Sequence, residues 1–234
     1  MKFRHELKYL INEGDAELIR ERLSLLLTPD PHAKNGSYSI RSLYFDDIFN
    51  TAYIDKINGA PQRKKYRIRV YDLDDHFIRL ECKLKDLSYI AKRSASLTCE
   101  ELDRIFAGDY DFLLHDPQPL KQQFYYECVS RILRPKVYVD YEREPLVLES
   151  GDVRITFDRD VRGAYPARSM FSTDLTYHYV LEPGKLIMEV KYTEFLPRVV
   201  KQLLPAQASE LTAFSKYTLC CDTINYMSAI ESIT

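Results

Sequence analysis

The chain of 234 residues contains no tryptophan and only seven glycines, and several familiar catalytic signatures are missing from it. There is no glycine-rich phosphate loop, no Gly-x-Ser-x-Gly elbow and no His-Glu-x-x-His pair. These absences exclude a P-loop kinase, a serine hydrolase of the elbow type and a zincin. The five cysteines are odd in number and none has zinc-ligand spacing, so we expect reduced and mostly buried thiols.

Long apolar runs are also missing. No stretch approaches the roughly 18 consecutive apolar residues of a membrane-spanning helix, so we expect no transmembrane segment. The first residues, MKFRHELKYLI, are charged from the second position and lack the apolar core of a signal peptide. We therefore expect a cytoplasmic protein, and recruitment by a separate membrane partner stays open.

The overall charge and composition limit the class of partner. A net charge of −2 argues against a general nucleic-acid binder, and the tyrosines form no stacking row on the basic strands, so no nucleic-acid partner is expected. The apolar fraction of 45% is ordinary for a globular protein. No internal repeat, low-complexity run or linker interrupts the chain, which favours a single domain over residues 1–234.

Residues 63–85, RKKYRIRVYDLDDHFIRLECKLK, are the most informative stretch. Alternation predicts two strands joined by a polar turn. One face of this hairpin collects cations around a single acid: Lys65, Arg67, Arg69, Arg79, Glu81, Lys83 and Lys85. A solvated strand face is the alternative, but such a face usually mixes charges of both signs. The excess of cations favours an anion with several oxygens, such as a chain of phosphates.

The same alternation recurs along the chain. It predicts strands at 3–11, 38–45, 136–144, 153–158 and 186–192, while residues 86–98 read as a solvated loop or a strand edge in which Lys92 extends the basic wall. Helices are predicted at 15–27, 48–58, 119–133 and 206–231, with a capping box at Thr98. This pattern predicts an α+β fold: a closed antiparallel β-barrel with a polar, basic lumen and helices packed outside.

Two carboxylates, Glu81 and Glu189, are candidate ligands for a divalent metal ion. Each is followed two residues later by a lysine, Lys83 or Lys191, so each is alternatively an ion-pair partner that balances charge in the lumen. The residues alone leave both interpretations open.

An ordered set of short motifs resembles the VTC domain, the polyphosphate polymerase domain of vacuolar transporter chaperone complexes and their prokaryotic relatives. The motifs are Arg4-x-Glu6-x-Lys8-Tyr9, Ser42-x-Tyr44-Phe45-Asp46, Arg63-x-Lys65-Tyr66-Arg67-x-Arg69-x-Tyr71, Leu80-Glu81-x-Lys83-x-Lys85, Tyr141-x-Arg143, Arg154-x-Thr156-Phe157-Asp158, Glu189-Val190-Lys191-Tyr192 and Ser215-Lys216-Tyr217. The resemblance implies a tunnel-shaped barrel of the triphosphate tunnel metalloenzyme (CYTH-like) superfamily. It also implies growth of inorganic polyphosphate from the γ-phosphate of ATP, with Mn²⁺ or Mg²⁺.

The resemblance further implies roles for individual residues, with ATP and inorganic polyphosphate as partners. The implied catalytic residues are Lys216, Arg67, Arg69 and Lys83. The implied phosphate-binding residues are Lys8, Lys92, Arg143, Arg154, Lys191 and Ser215. Glu189 is the implied metal ligand.

One departure from the wider superfamily matters for the reaction. Its triphosphatases and cyclases open with Glu-x-Glu-x-Lys, whereas this chain has Arg4 at the first position. The loss of one carboxylate favours the polymerase branch over a two-metal hydrolase. A triphosphate or polyphosphate hydrolase, a non-catalytic polyphosphate- or nucleotide-binding module and a structural barrel with paired interior charges are the alternatives.

Overall fold

The computed structural model describes residues 5–87, 89–166, 169–193, 195–204 and 215–231. Its backbone divides into two compact units. Unit 1 takes its described residues from Met1–Ser39, Tyr141–Val161 and Leu181–Phe214. Unit 2 takes them from Ile40–Asp140, Arg162–Val180 and Ser215–Thr234. The expectation of a single domain stays a prediction.

Ten strands and six α-helices form the described chain. The strands are β1 (His5–Asn12), β2 (Thr28–Pro29), β3 (Tyr38–Asp46), β4 (Gln62–Tyr71), β5 (Ile78–Asp86), β6 (Tyr89–Leu97), β7 (Arg134–Leu148), β8 (Val153–Ala164), β9 (His178–Tyr179) and β10 (Lys185–Tyr192). The helices are α1 (Glu13–Leu23), α2 (Thr51–Ile57), α3 (Cys99–Phe106), α4 (Pro119–Ser130), α5 (Arg198–Leu203) and α6 (Lys216–Glu231).

The strands belong to one sheet in the order β1-β10-β8-β7-β3-β4-β5-β6, with β2 paired to β7 and β9 paired to β8. The pairings whose registers are resolved are antiparallel. The predicted antiparallel sheet with helices is thereby confirmed. Across the described ranges no backbone pairing joins β6 to β1, so hydrogen bonds do not close the sheet, and a closed barrel stays a prediction.

In unit 1 the alternation of side chains creates one apolar and one polar face. Lys8 lies opposite Glu189 in the β1–β10 register, and Glu189 lies opposite Thr156 in the β10–β8 register. The intervening residues point the other way and pack with apolar residues of α1 and α5 in the unit 1 core. That core includes Tyr9, Ile11, Ile19, Leu23, Ile155, Phe157, Met188, Val190 and Val200.

In unit 2 the predicted hairpin is confirmed as β4 and β5, with Arg67 opposite Glu81. Its apolar face packs with α3 and α4 in the unit 2 core, which includes Leu43, Phe45, Tyr66, Ile68, Leu80, Cys82, Leu102, Ile105, Leu120 and Phe124. The predicted capping box is confirmed at α3, where the Glu101 amide donates to the Thr98 hydroxyl and the Glu101 carboxylate accepts from the Thr98 amide. Helices α3 and α4 therefore cover the apolar side of the hairpin and do not cover its charged side.

Several predicted boundaries change. Helix α1 begins at Glu13, where the Asn12 side chain caps it by accepting from the Asp15 amide, and it ends at Leu23 and not at residue 27, since a turn follows. Residues 89–97 form a full strand, β6. This strand pairs with one edge of β5, whose other edge pairs with β4. Helix α6 begins at Lys216, and residues 206–214 of the predicted C-terminal helix lie outside the described residues.

The cysteine and membrane expectations can also be compared with the structure. All five cysteines are free thiols, and only Cys99 is exposed, which confirms the expected pattern. Within the described ranges, every helix is too short or too polar to cross a membrane.

Candidate functional site

Unit 1 carries a cluster of four acids and four cations on the polar face of its strands and the adjoining loop. We call it the acid-balanced cluster. Its members are Glu6, Lys8, Asp30, Arg143, Arg154, Asp158, Glu189 and Lys191.

Glu189 is the centre of this cluster, and its side chain is only 6% exposed. Its carboxylate lies 3.3 Å from Nζ of Lys8, 2.8 Å from Nζ of Lys191 and 3.7 Å from Nη2 of Arg143. The Lys8 ammonium also lies 3.0 Å from Oε1 of Glu6. Three predicted phosphate-binding cations thus converge on the predicted metal ligand in this structure.

The two lysines around Glu189 respond differently to burial. Burial lowers the pKa of Lys8, but the carboxylates of Glu189 and Glu6 outweigh it, and the pKa lies above its ordinary value. Burial dominates at the second lysine and, with the charge of Arg143, lowers the pKa of Lys191 to about 8. The ammonium that has two carboxylates is therefore the more firmly protonated one.

The two arginines of the cluster each have their own carboxylate. Arg143 donates through Nε and Nη2 to the two oxygens of Asp158, both at 2.7 Å. Although burial opposes it, the Asp158 carboxylate raises the pKa of Arg143. Arg154 donates through Nη2 to the Tyr38 hydroxyl at 2.7 Å and lies 2.9 Å from Oδ2 of Asp30. These pairs fix the two guanidinium groups in the absence of any ligand.

Unit 2 presents a different charge pattern on β4, β5 and β6. We call its polar side the cation-rich face. It consists of three cross-strand rows, which are Lys65–Lys83–Lys92, Arg67–Glu81 and Arg69–Arg79. Six cations therefore accompany one acid: five belong to the predicted hairpin and the sixth, Lys92, extends the wall from β6. Lys85, the remaining cation predicted for the hairpin face, lies opposite Arg63.

Glu81 is held by the cations around it. Arg67 lies at 2.7 Å through Nε and 2.6 Å through Nη2, Lys92 forms a further ion pair, and Nε of Arg69 lies at 4.0 Å. Burial opposes ionisation, but Arg67, Arg69 and Lys92 outweigh it and lower the pKa of Glu81 to about 2. Glu81 therefore forms ion pairs in this structure, which is the alternative to metal binding that the sequence leaves open.

The positive charge of this face lowers the pKa values of two tyrosines, Tyr44 and Tyr71. Tyr44 accepts a hydrogen bond from Nη1 of Arg67 at 2.8 Å. Burial raises the pKa of Tyr44, but the charges of Arg67, Arg69 and Lys216 reverse the shift and lower it. The pKa of Tyr71 is likewise lowered against burial, chiefly by Arg69. For both of these partly buried phenols, the nearby cations therefore outweigh the cost of burial.

The start of α6 lies beside the cation-rich face. Nζ of Lys65 lies 3.4 Å from the Ser215 hydroxyl and 4.7 Å from the centre of the Tyr217 ring. That ring stacks on Tyr44 with centroids 4.9 Å apart. Lys216 is buried, and its charge acts on Tyr44. Ser215 and Lys216, predicted from a motif more than 120 residues away from β5, are thus neighbours of the predicted hairpin residues in unit 2.

Each predicted site residue therefore falls in one of two groups. Lys8, Arg143, Arg154, Glu189 and Lys191 belong to the acid-balanced cluster of unit 1, and Arg67, Arg69, Lys83, Lys92, Ser215 and Lys216 lie on or beside the cation-rich face of unit 2. Lys83 is exposed, unlike Arg69 and Lys216. Arg4 lies outside the described residues. The roles implied for all of these residues stay predictions.

Sequence reasoning missed the contacts of Asp30 and Tyr38 with Arg154, because no periodic pattern links the loop of Asp30 or the start of β3 to β8. It also missed Arg41, which is buried on the apolar side of β3. Nε of Arg41 lies 3.0 Å from Oδ2 of Asp140, and Nη1 donates to the carbonyl of Met170 at 2.7 Å. Only a basic residue at an apolar strand position could have indicated such a buried pair.

Unit 2 also contains a cavity of about 600 Å³, which is separate from the cation-rich face. Its lining includes Phe45, Tyr66 and Leu84, which belong to the apolar side of the strands, and Lys64 with Glu127. None of the predicted site residues lines it. The candidate site is therefore defined by charged strand faces and not by this cavity.

A search of curated proteins found no match. Among solved structures, HpAC1 of Hippeastrum, a candidate adenylyl cyclase described as having a dominant triphosphatase activity, aligns with a TM-score of 0.55 at 14% identity over 95% of this chain and 96% of its own. At this identity the likeness supports the fold alone.

Two other structures match with lower scores. The protein PH1819 of Pyrococcus horikoshii OT3 has a TM-score of 0.48 at 13% identity, over 94% of this chain and 99% of its own. A candidate adenylate cyclase of Bacillus halodurans has a TM-score of 0.47 at 11% identity, over 100% and 91%. The family comparison is more specific, since the model of the VTC domain matches residues 3–225. The chain therefore belongs to the VTC domain family.

Proposed function

We propose that the protein is a metal-dependent polyphosphate polymerase that transfers the γ-phosphate of ATP to a growing inorganic polyphosphate chain within a basic tunnel. Membership of the VTC domain family supports this proposal. The tunnel-shaped closed barrel is part of the proposal, as is Mn²⁺ or Mg²⁺ as the cofactor.

The observation that carries the proposal is the cation-rich face. Six cations share one buried acid, and two partly buried tyrosines there have lowered pKa values. Like charges this close repel one another, so the arrangement costs stability unless a multiply charged anion binds. A polyphosphate chain supplies several negative oxygens along its length, and arginine grips such oxygens in pairs.

The acid-balanced cluster fits a divalent cation. Glu6 and Glu189 both lie within 3.3 Å of the Lys8 ammonium, so two carboxylates already surround a position of positive charge. Carboxylate and phosphate oxygens are the ligands that Mg²⁺ and Mn²⁺ prefer. Glu189 would hold the ion, which when bound supplies charge neutralisation to the phosphates.

The proposed transfer is an in-line displacement. A terminal oxygen of the polyphosphate chain forms a bond to the γ-phosphorus of ATP, and the bond from that phosphorus to the β-bridging oxygen breaks, so that ADP leaves with the electron pair. Arg67 and Arg69 hold phosphate oxygens in place, Lys83 and Lys92 add point charges, and Lys216 places its ammonium against the transferred group. This chemistry depends on positioning and charge more than on covalent help from the protein.

Hydrolysis of a triphosphate or polyphosphate is the second candidate. Two carboxylates, Glu6 and Glu189, lie together beside the Lys8 ammonium, and a metal-assisted hydrolase would use such carboxylates to hold its metal ion. Water would then take the place of the chain terminus, and free phosphate would be the product.

One assay separates these candidates. Purified protein is incubated with ATP and Mn²⁺, and both chain length on a gel and free phosphate are read. We expect a ladder of chains that Lys216→Ala reduces at least about 100-fold, because it removes charge stabilisation at the transferred group. Lys201→Ala, an exposed lysine of α5, is the control and should retain activity. Free phosphate without chains would replace the polymerase by the hydrolase, and triphosphate binding with neither product would indicate a binding module.

A further inference from the structure

Thr156 carries a buried hydroxyl that has no hydrogen-bond partner. The residue is fully buried in β8, and within the described part of the chain no group accepts from or donates to its Oγ1. A hydroxyl removed from water without a partner is costly, whereas valine would fill the same space without that cost. The hydroxyl therefore requires an explanation other than packing.

Its neighbours place it within the acid-balanced cluster. Thr156 lies directly opposite Glu189 in the β8–β10 register. Arg154 and Asp158 are two positions away on either side and therefore share its face of the strand. Directly opposed residues in an antiparallel pair have Cβ atoms about 5 Å apart, so a group bound at Glu189 is within reach of the Thr156 hydroxyl.

A second orphaned donor occurs on the same face. Nε of Arg154 is buried and has no hydrogen-bond partner among the described residues, although Nη2 of this arginine contacts Tyr38 and Asp30. An Nε–H group can only donate. The nearby carboxylates of Glu189 and Asp158 already contact Lys8, Lys191 and Arg143. Two donors without acceptors on one strand face point to an acceptor that is supplied from outside the protein.

We propose that Thr156 is a phosphate-contacting residue whose hydroxyl donates to a non-bridging oxygen of a triphosphate or polyphosphate held beside Glu189. This inference rests on the proposed function for the identity of the ligand, but it requires only binding and no transfer. A threonine hydroxyl suits this position because it is short, held rigidly by the strand and able to meet an oxyanion at hydrogen-bond distance.

The test is calorimetric titration of the full chain with sodium tripolyphosphate, with and without Mn²⁺, together with thermal unfolding of the unliganded protein. Thr156→Val keeps the shape and removes the hydroxyl, while Thr156→Ser keeps the hydroxyl and is the matched control. We expect Thr156→Val to bind about tenfold more weakly and to unfold at the same or a higher temperature than wild type. Thr156→Ser should bind within about twofold of wild type.

The outcomes separate this inference from the polymerase proposal. Unchanged binding by Thr156→Val, or loss of its unliganded stability, would overturn the role of the hydroxyl, since the second result reveals an internal partner. Weakened binding by Thr156→Val in a protein that makes no chains would support the hydroxyl contact and reject the polymerase. Absence of any tripolyphosphate binding by the wild type would overturn both.

Discussion

The two charged regions follow the same strand pattern but differ in how their charges are matched. The acid-balanced cluster of unit 1 contains four acids and four cations, each cation within 3.3 Å of a carboxylate oxygen. The cation-rich face of unit 2 has six cations around Glu81. In a balanced cluster the formal charges of the side chains offset one another, whereas a face with excess positive charge is relieved by an anion. We infer that the two regions contribute differently to binding and to stability.

The largest effect is expected from Glu189→Gln, which removes the central carboxylate of the acid-balanced cluster. Lys8, Lys191 and Arg143 would lose a shared partner, so we expect the free energy of unfolding to fall by roughly 3 kcal/mol. Polyphosphate synthesis should fall at least about 100-fold, since the proposed metal ligand is lost. Urea unfolding and the chain-length gel measure these effects. Glu149→Gln, at an exposed glutamate after β7, is the control, and wild-type activity in Glu189→Gln would contradict the metal role.

Glu81→Gln should lower stability, as Glu189→Gln does, but should strengthen the binding of tripolyphosphate. It removes the single acid of the cation-rich face, so the cations repel one another and stability should fall by about 3 kcal/mol, in line with the lowered pKa. The freed cations should nevertheless bind tripolyphosphate roughly three- to tenfold more tightly without metal. Calorimetric titration tests this, and weaker binding would indicate that Glu81 itself contributes to the ligand site.

The pH dependence of stability should identify the same carboxylate. The folded-state pKa of Glu81 is lowered to about 2 from its ordinary 4.5. Its stabilising contribution is therefore complete above pH 4.5 and disappears as the pH falls towards 2. The difference in unfolding free energy between wild type and Glu81→Gln should shrink across that window. A difference that stays constant would show that Arg67, Arg69 and Lys92 do not hold the carboxylate in its ionised form.

The smallest effect is expected from Lys83→Met, which removes an exposed charge from the row Lys65–Lys83–Lys92. Tripolyphosphate binding should weaken about threefold at low salt and less at high salt, because exposed charges are screened. Stability should not fall, because repulsion within the row decreases. Titrations at two ionic strengths measure this, and a weakening that is independent of ionic strength would contradict a screened, point-charge role for Lys83.

Much of the local structure was predictable because it depends on neighbours in sequence. Alternation in residues 63–85 predicts which side chains of β4 and β5 share a face, and the register of Arg67 with Glu81 confirms it. The Thr98 capping box was predictable for the same reason. Strand β6 was harder to predict. Residues 89–97 are extended because they pair with β5, and their composition alone does not indicate a strand.

The candidate site was predictable in its residues but not in its pairings. The ordered motifs resemble those of the VTC domain, whose family model matches residues 3–225, and the roles that the resemblance implies for individual lysines and arginines stay predictions. No local pattern brings Asp30 and Tyr38 to Arg154, or Asp140 and Met170 to Arg41, because these partners lie about 100 or more residues apart. The unpartnered hydroxyl of Thr156 likewise becomes visible only when every neighbour is in place.

The sequence by itself determined which face of each strand is charged, because strand alternation is a property of the backbone and of residue order. It also determined the local helix caps and the family. Only the tertiary structure decided which acids accompany the cations of the acid-balanced cluster, since that depends on which strands and loops become neighbours. The acid-balanced cluster and the cation-rich face therefore share one sequence pattern and differ through their long-range partners.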